Sequence, residues 1–467
     1  MGGRGRHSAV GVWLLALCAV LSACAPPSGW SVAPPECEGA DSASLLEGVS
    51  AWSPGPSPGF AGEDARDAEG ASAPPDPWRH AEEDGLPVLH LFMSSSLPDD
   101  DGYRPARVIY KGRCMLAETR YRGDTSLRFP KRSLTLDFES GYTFDEPEQA
   151  GGFMGRRKLV LISPFNDNSY MRARLAFELW NRMSPDHIQM KAFSAVVYVN
   201  GEYHGLFTVT DHLNQHFLAD RGLDPGGDLF KAVGGDANFS RLDAAGLPKV
   251  KLRQGYEKKE GQPEDGDEAY QAIDALTAFV SDASLEQFRA ERDAWFDARD
   301  YEDWWIFANL AYTKDSVAKN AYHYRARGPG TRFRYIPWDL DASFGQDWNT
   351  RRLDANDLYT FTNENHLFAR LIADPVISES LAAHYRELLQ GPLRREEMLG
   401  LVDAYAAQLR AAALKDEARW GSEYRVFPRW SERTDLNDFE GEVAYLRAWV
   451  DTRWRAAETS LQPPGAR

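Results

Sequence analysis

At residue 268 the hydrophobic period of this chain changes, and that change limits its fold more than any other feature. Before it, apolar residues recur at the spacing of strands. Stretches 86–93, 107–111, 117–122 and 133–138 read as strands, the last alternating apolar and polar at period two. Two further β-rich runs, 195–199 and 203–209, meet at Asn200-Gly201, a dipeptide suited to the paired positive-φ positions of a tight hairpin. One amphipathic helix, 170–183, lies among them with Leu175, Leu179 and Met183 on one face. From 268 onward the spacing is helical: 268–281, 284–296, 300–313, 364–373, 376–390, 394–416 and 438–461. A strand pair at 320–325 and 333–338 interrupts it. A sheet-rich N-terminal half and a helix-rich C-terminal half predict an α+β architecture in two lobes with a cleft between them. Trp304, Trp305, Phe307 and Tyr312 are expected in helix core, and the Gly-rich stretch 222–235 reads as a surface loop.

Ahead of this lies sequence of another kind. Basic residues Arg4, Arg6 and His7 precede an apolar run, 10–21, too short to span a bilayer and suited to an export signal. It ends in Leu21-Ser22-Ala23-Cys24, which resembles the bacterial lipobox, so residues 1–23 are expected to be cleaved and Cys24 to carry acyl chains. Residues 24–85 read as a disordered tether, with ten prolines between 25 and 85 and almost no periodic apolar pattern. The folded domain is expected over 86–463. Cys37 and Cys114 are the cysteines left for a disulfide, and the place of Cys37 in the tether weighs against that pair. The 53 Lys and Arg against 70 Asp and Glu give a net charge of −17 with no basic block, which excludes nucleic acid as a partner. The membrane is expected to be reached through the lipid alone.

The chemistry-bearing residues gather at 313–345. Asp339 and Asp341 follow a strand and project to one side if the backbone stays extended. Two such carboxylates repel and persist best around a hard divalent cation, for which Asn320 offers an amide oxygen. Asp315 stands five residues before Asn320, the spacing of the catalytic Asp and metal-binding Asn in the protein-kinase loop. On spacing alone, helix capping by Asp315 and a solvated turn at Asp339 remain open.

Several segments in order carry a resemblance. They are Tyr121-Arg122-Gly123-Asp-Thr-Ser126, Phe129-Pro130-Lys131-Arg132-Ser133, Asn166-Asp-Asn-Ser-Tyr170-Met171-Arg172 and Val199-Asn200-Gly201-Glu202-Tyr203-His-Gly205-Leu206, then Asp228-Leu-Phe-Lys231, Lys319-Asn320-Ala-Tyr322 and Pro337-Trp338-Asp339-Leu-Asp341. From about 86 to 461 the chain resembles the CotH kinase family, named for a spore coat protein. The resemblance implies an atypical protein-kinase-like fold that binds ATP and Mg2+ or Mn2+ and phosphorylates secreted or surface proteins. It implies Asp315 as proton acceptor and Asn320 and Asp339 as metal ligands, with Asp341 either a further ligand or a neighbour that orients one. Lys131, Arg122 and Lys231 are implied for the nucleotide phosphates, and Asp211 as an anchor for Lys131. A GxGxxG loop is absent, Thr313-Lys314 replaces the usual His-Arg, and Leu340-Asp341 replaces Phe-Gly.

The expected function is therefore that of an exported, lipid-anchored Ser/Thr-type kinase of the bacterial cell envelope. A catalytically silent scaffold for spore or envelope assembly is the alternative. More remote is a hydrolase using Asp339 and Asp341, which on an extended strand would stand about 6–7 Å apart.

Overall fold

The computed structural model describes residues 75–461 apart from 94–96, 98–101, 431–432 and 434. The apolar leader, Cys24, and the tether up to residue 74 lie outside the described residues. Among the described residues fourteen strands are present: β1 Glu82–Glu83, β2 Leu86–Met93, β3 Arg104–Tyr110, β4 Arg113–Arg122, β5 Ser133–Phe138, β6 Phe144–Glu146, β7 Phe153–Arg156, β8 Lys158–Ile162, β9 Ala192–Val199, β10 Glu202–Asp211, β11 Asp228–Ala232, β12 Tyr256–Glu260, β13 Ala321–Arg325 and β14 Phe333–Pro337. Ten α-helices accompany them: α1 Arg172–Met183, α2 Gln215–Asp220, α3 Gly266–Ala269, α4 Gln271–Asp282, α5 Leu285–Trp295, α6 Ala298–Ala311, α7 His366–Ala373, α8 Pro375–Gln390, α9 Arg395–Arg425 and α10 Phe439–Ser460.

The large sheet runs β1-β2-β3-β4-β5-β8-β10-β9, and a parallel pairing of β2 with β9 closes it on itself. Closure explains why β2 is buried along its whole length. A strand covered on both faces needs a continuous apolar run, and Leu-Pro-Val-Leu-His-Leu-Phe-Met supplies one. Alternation then sorts side chains. Leu89, Leu136, Leu161 and Val209 fill the barrel, whereas Val88, Val160, Val196 and Leu206 face outward into the core that also holds α1 and α6. The β9–β10 hairpin turns at Asn200 (φ 53°) and Gly201 (φ 85°), as the dipeptide predicts. Asn200 also uses its side-chain amide on both backbone groups of Met93, which pins the end of β2 to the hairpin.

The expected α+β division holds, with sheet first and helices after. The structure adds more. The outward face of the barrel shares one core with the helices, and the barrel interior is a second core of its own. The stretch 222–235 is not a surface loop: β11 runs through it, paired on both sides in the four-stranded sheet β12-β11-β13-β14. The folded region begins ahead of residue 86, because Glu83 pairs in β1, accepts from the Tyr198 hydroxyl at 2.8 Å and meets Lys415 at 2.8 Å. Cys114 is disulfide-bonded.

One contact fixes α9 to the barrel. β8 reaches only as far as the Ile162–Thr208 pair, and β10 carries a bulge between Tyr203 and Gly205. Leu206 is left with backbone groups that no strand on that side can satisfy. Asp416 of α9 accepts from Leu206 N at 2.6 Å, Lys131 donates to Leu206 O at 2.6 Å, and the two side chains form a buried ion pair. Gly205 (φ 136°) leaves room for them, since a Cβ there would lie 2.9 Å from the Lys131 ammonium. Asp416→Asn keeps an acceptor for Leu206 but strands the lysine charge, and the expected loss is about 3–5 kcal/mol of unfolding free energy. Adding Lys131→Met should recover much of it. Urea unfolding of both variants measures this, and an equal loss in each would mean the charge pair is not what holds α9.

Candidate active site

The site starts at the end of α6. Tyr312 takes the left-handed conformation (φ 53°) and stops the helix, and Lys314–Ser316 make a single 3-10 turn that carries Asp315. Asp315 is inside this turn and caps no α-helix. Asn320 (φ 57°) closes the segment, donating from Nδ2 to Asp315 Oδ2 at 2.9 Å and to Asp315 O at 3.1 Å, while its own N–H reaches Ala232 O of β11 at 2.8 Å. Lys319 holds the other Asp315 oxygen at 2.9 Å. The five-residue spacing thus returns the amide to the carboxylate.

The acid pair sits beside it. β14 ends at Pro337, and Asp339 is exposed in the left-handed region (φ 60°), its carbonyl accepting from Ser316 Oγ at 3.0 Å. The backbone is therefore not extended through Asp339-Leu340-Asp341, which removes the geometry on which a carboxylate-pair hydrolase would rest. Asp341 turns inward and accepts from Asn166 Nδ2 at 2.5 Å. Burial first, then the neighbouring charge of Asp339, pushes the Asp341 carboxyl up to about 7. Asp315 is also raised, by burial above all; Lys319 opposes the rise, and Asp339 and Asp347 add to it.

Opposite these acids stand two cations. Arg122, at the end of β4, lies over the Trp338 ring at 5.2 Å and feels the charge of Asp339. Lys231, on β11, feels both Arg122 and Asp339. Neither has a hydrogen bond or ion pair among the described residues, and burial lowers both. On the other flank of Asp315 opens a cavity of about 670 Å³, lined by Lys314, Val317 and Lys319 with parts of 235–246 and 362–366.

The expected residues thus divide into two groups. Asp315, Asn320, Asp339, Asp341, Arg122 and Lys231 come together. Lys131 does not join them: its ammonium is sealed against Asp416 and Leu206. Nor does Asp211 anchor Lys131, because Arg156 at 2.6 Å and Arg221 at 2.5 Å take its two oxygens. Two members escaped the sequence reading of the site. Asn166 holds Asp341, and Asp347 adds negative charge near Asp315. The Asn-Asp-Asn-Ser run around Asn166 was the only signal, and spacing could not bring residue 166 to residue 341.

For a divalent cation the donors are hard oxygens, which suits Mg2+ or Mn2+. Asn166 Oδ1 is sealed without a partner, and the Asp339–Asp341 pair lacks a neutralising charge at close range. Among the described residues no three His, Cys, Asp or Glu side chains converge on one point. The residues fit an ion that draws its remaining oxygens from phosphate and water.

The family model described as CotH kinase protein matches residues 119–457. The chain belongs to the CotH kinase family. That span contains every residue of the cluster and leaves β1–β3 outside. The inner spore coat protein H of Bacillus subtilis (strain 168) is similar, 28% identical over 342 residues, which cover 71% of this chain and 89% of that protein.

The raised Asp341 carboxyl has a consequence for stability. Its folded-state pKa lies above the ordinary 3.8, so the stabilising proton is present at acid pH and is lost as pH rises toward 7. Asp341→Asn should remove that slope and, without divalent cation, melt a few degrees above the wild type at pH 8 but not at pH 4. Parallel melting curves across pH 4–8 in both proteins would refute the assignment.

Proposed function

We propose that this chain is an exported atypical kinase that transfers the γ-phosphoryl group of ATP to hydroxyls of surface or secreted proteins, with Mg2+ or Mn2+. The observation that carries this reading is charge separation at close quarters. Two cations with no side-chain hydrogen bond or ion pair among the described residues, Arg122 and Lys231, stand in the field of Asp339, and Asp315 lies beside the Asp339–Asp341 pair. Like charges held close together are costly unless a ligand completes them. A polyphosphate with a divalent ion would do so: Arg122 and Lys231 would hold the anion, and Asp339, Asp341 and the amide oxygen of Asn320 would hold the ion. Bound there, the ion supplies charge neutralisation at the phosphates.

Asp315 is the base in this reading. Its raised affinity for a proton suits it to take one from an attacking hydroxyl. Asn320 and Lys319 hold its two oxygens and fix their direction. The cavity beyond Asp315 gives an acceptor side chain room on the flank away from Arg122 and Lys231. Because phosphoryl transfer passes through a loose transition state, positioning the hydroxyl is most of what such a base contributes.

The relative from the spore coat favours a surface or envelope location, and no helix among the described residues is long and apolar enough to cross a membrane. Anchoring by acyl chains at Cys24 belongs to the same proposal. Cys24→Ser should move the protein from the membrane fraction to the soluble one, and retention after a high-salt wash would refute the anchor.

The decisive experiment follows phosphate incorporation into a general protein acceptor with Mg2+ or Mn2+, with calorimetry of Mg·ATP binding. Asp315→Asn should still bind nucleotide and lose about two to four orders of magnitude in turnover. Asp339→Asn should weaken Mg·ATP binding. Equal turnover in Asp315→Asn would exonerate Asp315, and absence of ATP binding by the wild type would favour an assembly scaffold.

A further inference from the structure

His212 is the one imidazole in this region whose surroundings ask for a ligand. It follows β10, next to Asp211, which pairs with Leu159 of β8. The outward positions of neighbouring strands carry Arg120 and Arg122 on β4 and Lys158 at the start of β8, with Lys231 of β11 opposite. All four cations act on the His212 ring. Its Nδ1 is sealed without a hydrogen-bond partner, and Nε2 has none among the described residues.

Two histidines of the core look different. His323 and His90 are also kept neutral by burial, yet each uses a ring nitrogen, on the Tyr301 hydroxyl at 2.8 Å and on His80 O at 2.9 Å. The cations around His212 are unequally satisfied too. Lys158 meets Asp137 at 2.9 Å, and Lys158 and Arg120 both lie over the Tyr103 ring. Arg122 and Lys231 have only the more distant charges of Asp339 and Glu257 nearby. An imidazole without a partner, facing two cations without counter-ions, lacks one thing, an anion that all three can touch.

We propose that His212 is a ligand for the polyphosphate chain held by Arg122 and Lys231, donating from its ring to a phosphate oxygen. This rests on the phosphate site of the kinase reading but not on phosphoryl transfer. In the free protein, burial and then Arg122, Lys158, Arg120 and Lys231 push the ring down to about 3, so it is neutral at pH 7. An anion cancels those charges and makes a positively charged ring favourable. Polyphosphate binding should then take up protons at this ring, and the share due to His212 should grow as pH falls from 7.5 to 6.0.

The probe is inorganic tripolyphosphate without metal, titrated calorimetrically into the full chain at pH 7.5 and pH 6.0. Leaving out the metal keeps Asp341 from releasing a proton of opposite sign. His212→Leu keeps the bulk of the ring and removes both nitrogens. It should bind about tenfold more weakly at pH 7.5, the usual worth of one hydrogen bond to a charged group, with a larger gap at pH 6.0. His212→Gln retains a donor that cannot be charged, so it should fall between the two and show no widening gap. If His212→Leu proves unstable in melting experiments, the glutamine variant decides by its pH dependence. Affinities within twofold of the wild type at both pH values would overturn the proposal, even if Arg122→Gln binds weakly. A wild type that fails to bind tripolyphosphate would overturn it as well. Binding of tripolyphosphate but not ATP would remove the kinase reading and leave His212 in its anion site.

Discussion

The guanidinium of Arg172 is the point on which the active region depends. It is fully buried at the first position of α1, and four segments meet on it. Its nitrogens reach Asp167 at 2.5 Å, Glu442 of α10 at 2.6 Å and Ser343 O at 3.1 Å. Asp167 also accepts from Arg172 N and Ser169, so the loop after β8 is wound around this charge. Arg352 brings a second guanidinium to Glu442, at 2.6 and 2.7 Å. The buried Arg172 and the half-buried Arg352 explain why the Glu442 carboxyl, despite burial, is held down to about 2. Ions withdrawn from water persist only when each is satisfied this fully, and removal of one partner leaves the others costly.

What the arrangement positions is the acid loop. Asn166 lies one residue before Asp167 and reaches Asp341, while its carbonyl accepts from Gln346 at 2.7 Å. Arg172 grips the same loop at Ser343. Asp341 is thus held from both sides by a network anchored in α10, nearly a hundred residues further along the chain. The Lys131–Asp416 pair does comparable work on the barrel, so α9 and α10 both act as braces for segments that precede them. The motif Phe-Pro-Lys131-Arg-Ser and the motif Asn166 to Arg172 therefore serve mainly to assemble the site. In the proposed kinase reading, direct contact with a substrate falls to Arg122, Lys231 and the 315–341 residues.

The site stores electrostatic imbalance in a rigid frame. Cations from β4 and β11 are placed against acids from the turn after α6 and the loop after β14. None can relax far, because each sits at the end of a paired strand or in a hydrogen-bonded turn. Left-handed backbone at Tyr312, Asn320 and Asp339 marks where the chain bends to make this possible. Such strain is tolerated where surrounding contacts over-determine the conformation, and here Ser316, Ala232 O and Asp315 supply those contacts.

The sequence by itself determined the elements and the short-range chemistry. Period two and period 3.6 gave most strands and all the long helices, because each side chain's face follows from its neighbours in the chain. The Asn200-Gly201 turn and the Asp315–Asn320 loop were legible for the same reason, their partners being at most five residues apart. Tertiary structure alone decided the rest. The extended reading of Asp339 failed because one left-handed residue after β14 reverses the alternation. The pairing of Lys131 with Asp211 failed because a lysine on the barrel finds whichever buried acid the packing of α9 delivers, and that acid is 285 residues away. The strand hidden at 228–232 was masked by its flanking glycines, of which Gly227 packs against Arg325 O with no space for a Cβ. Closure of the sheet by β2 and β9, and the meeting of Asn166 with Asp341, likewise depend on contacts over more than one hundred residues. Local periodicity carries no record of such contacts, since it fixes which way a side chain points and not what stands opposite it.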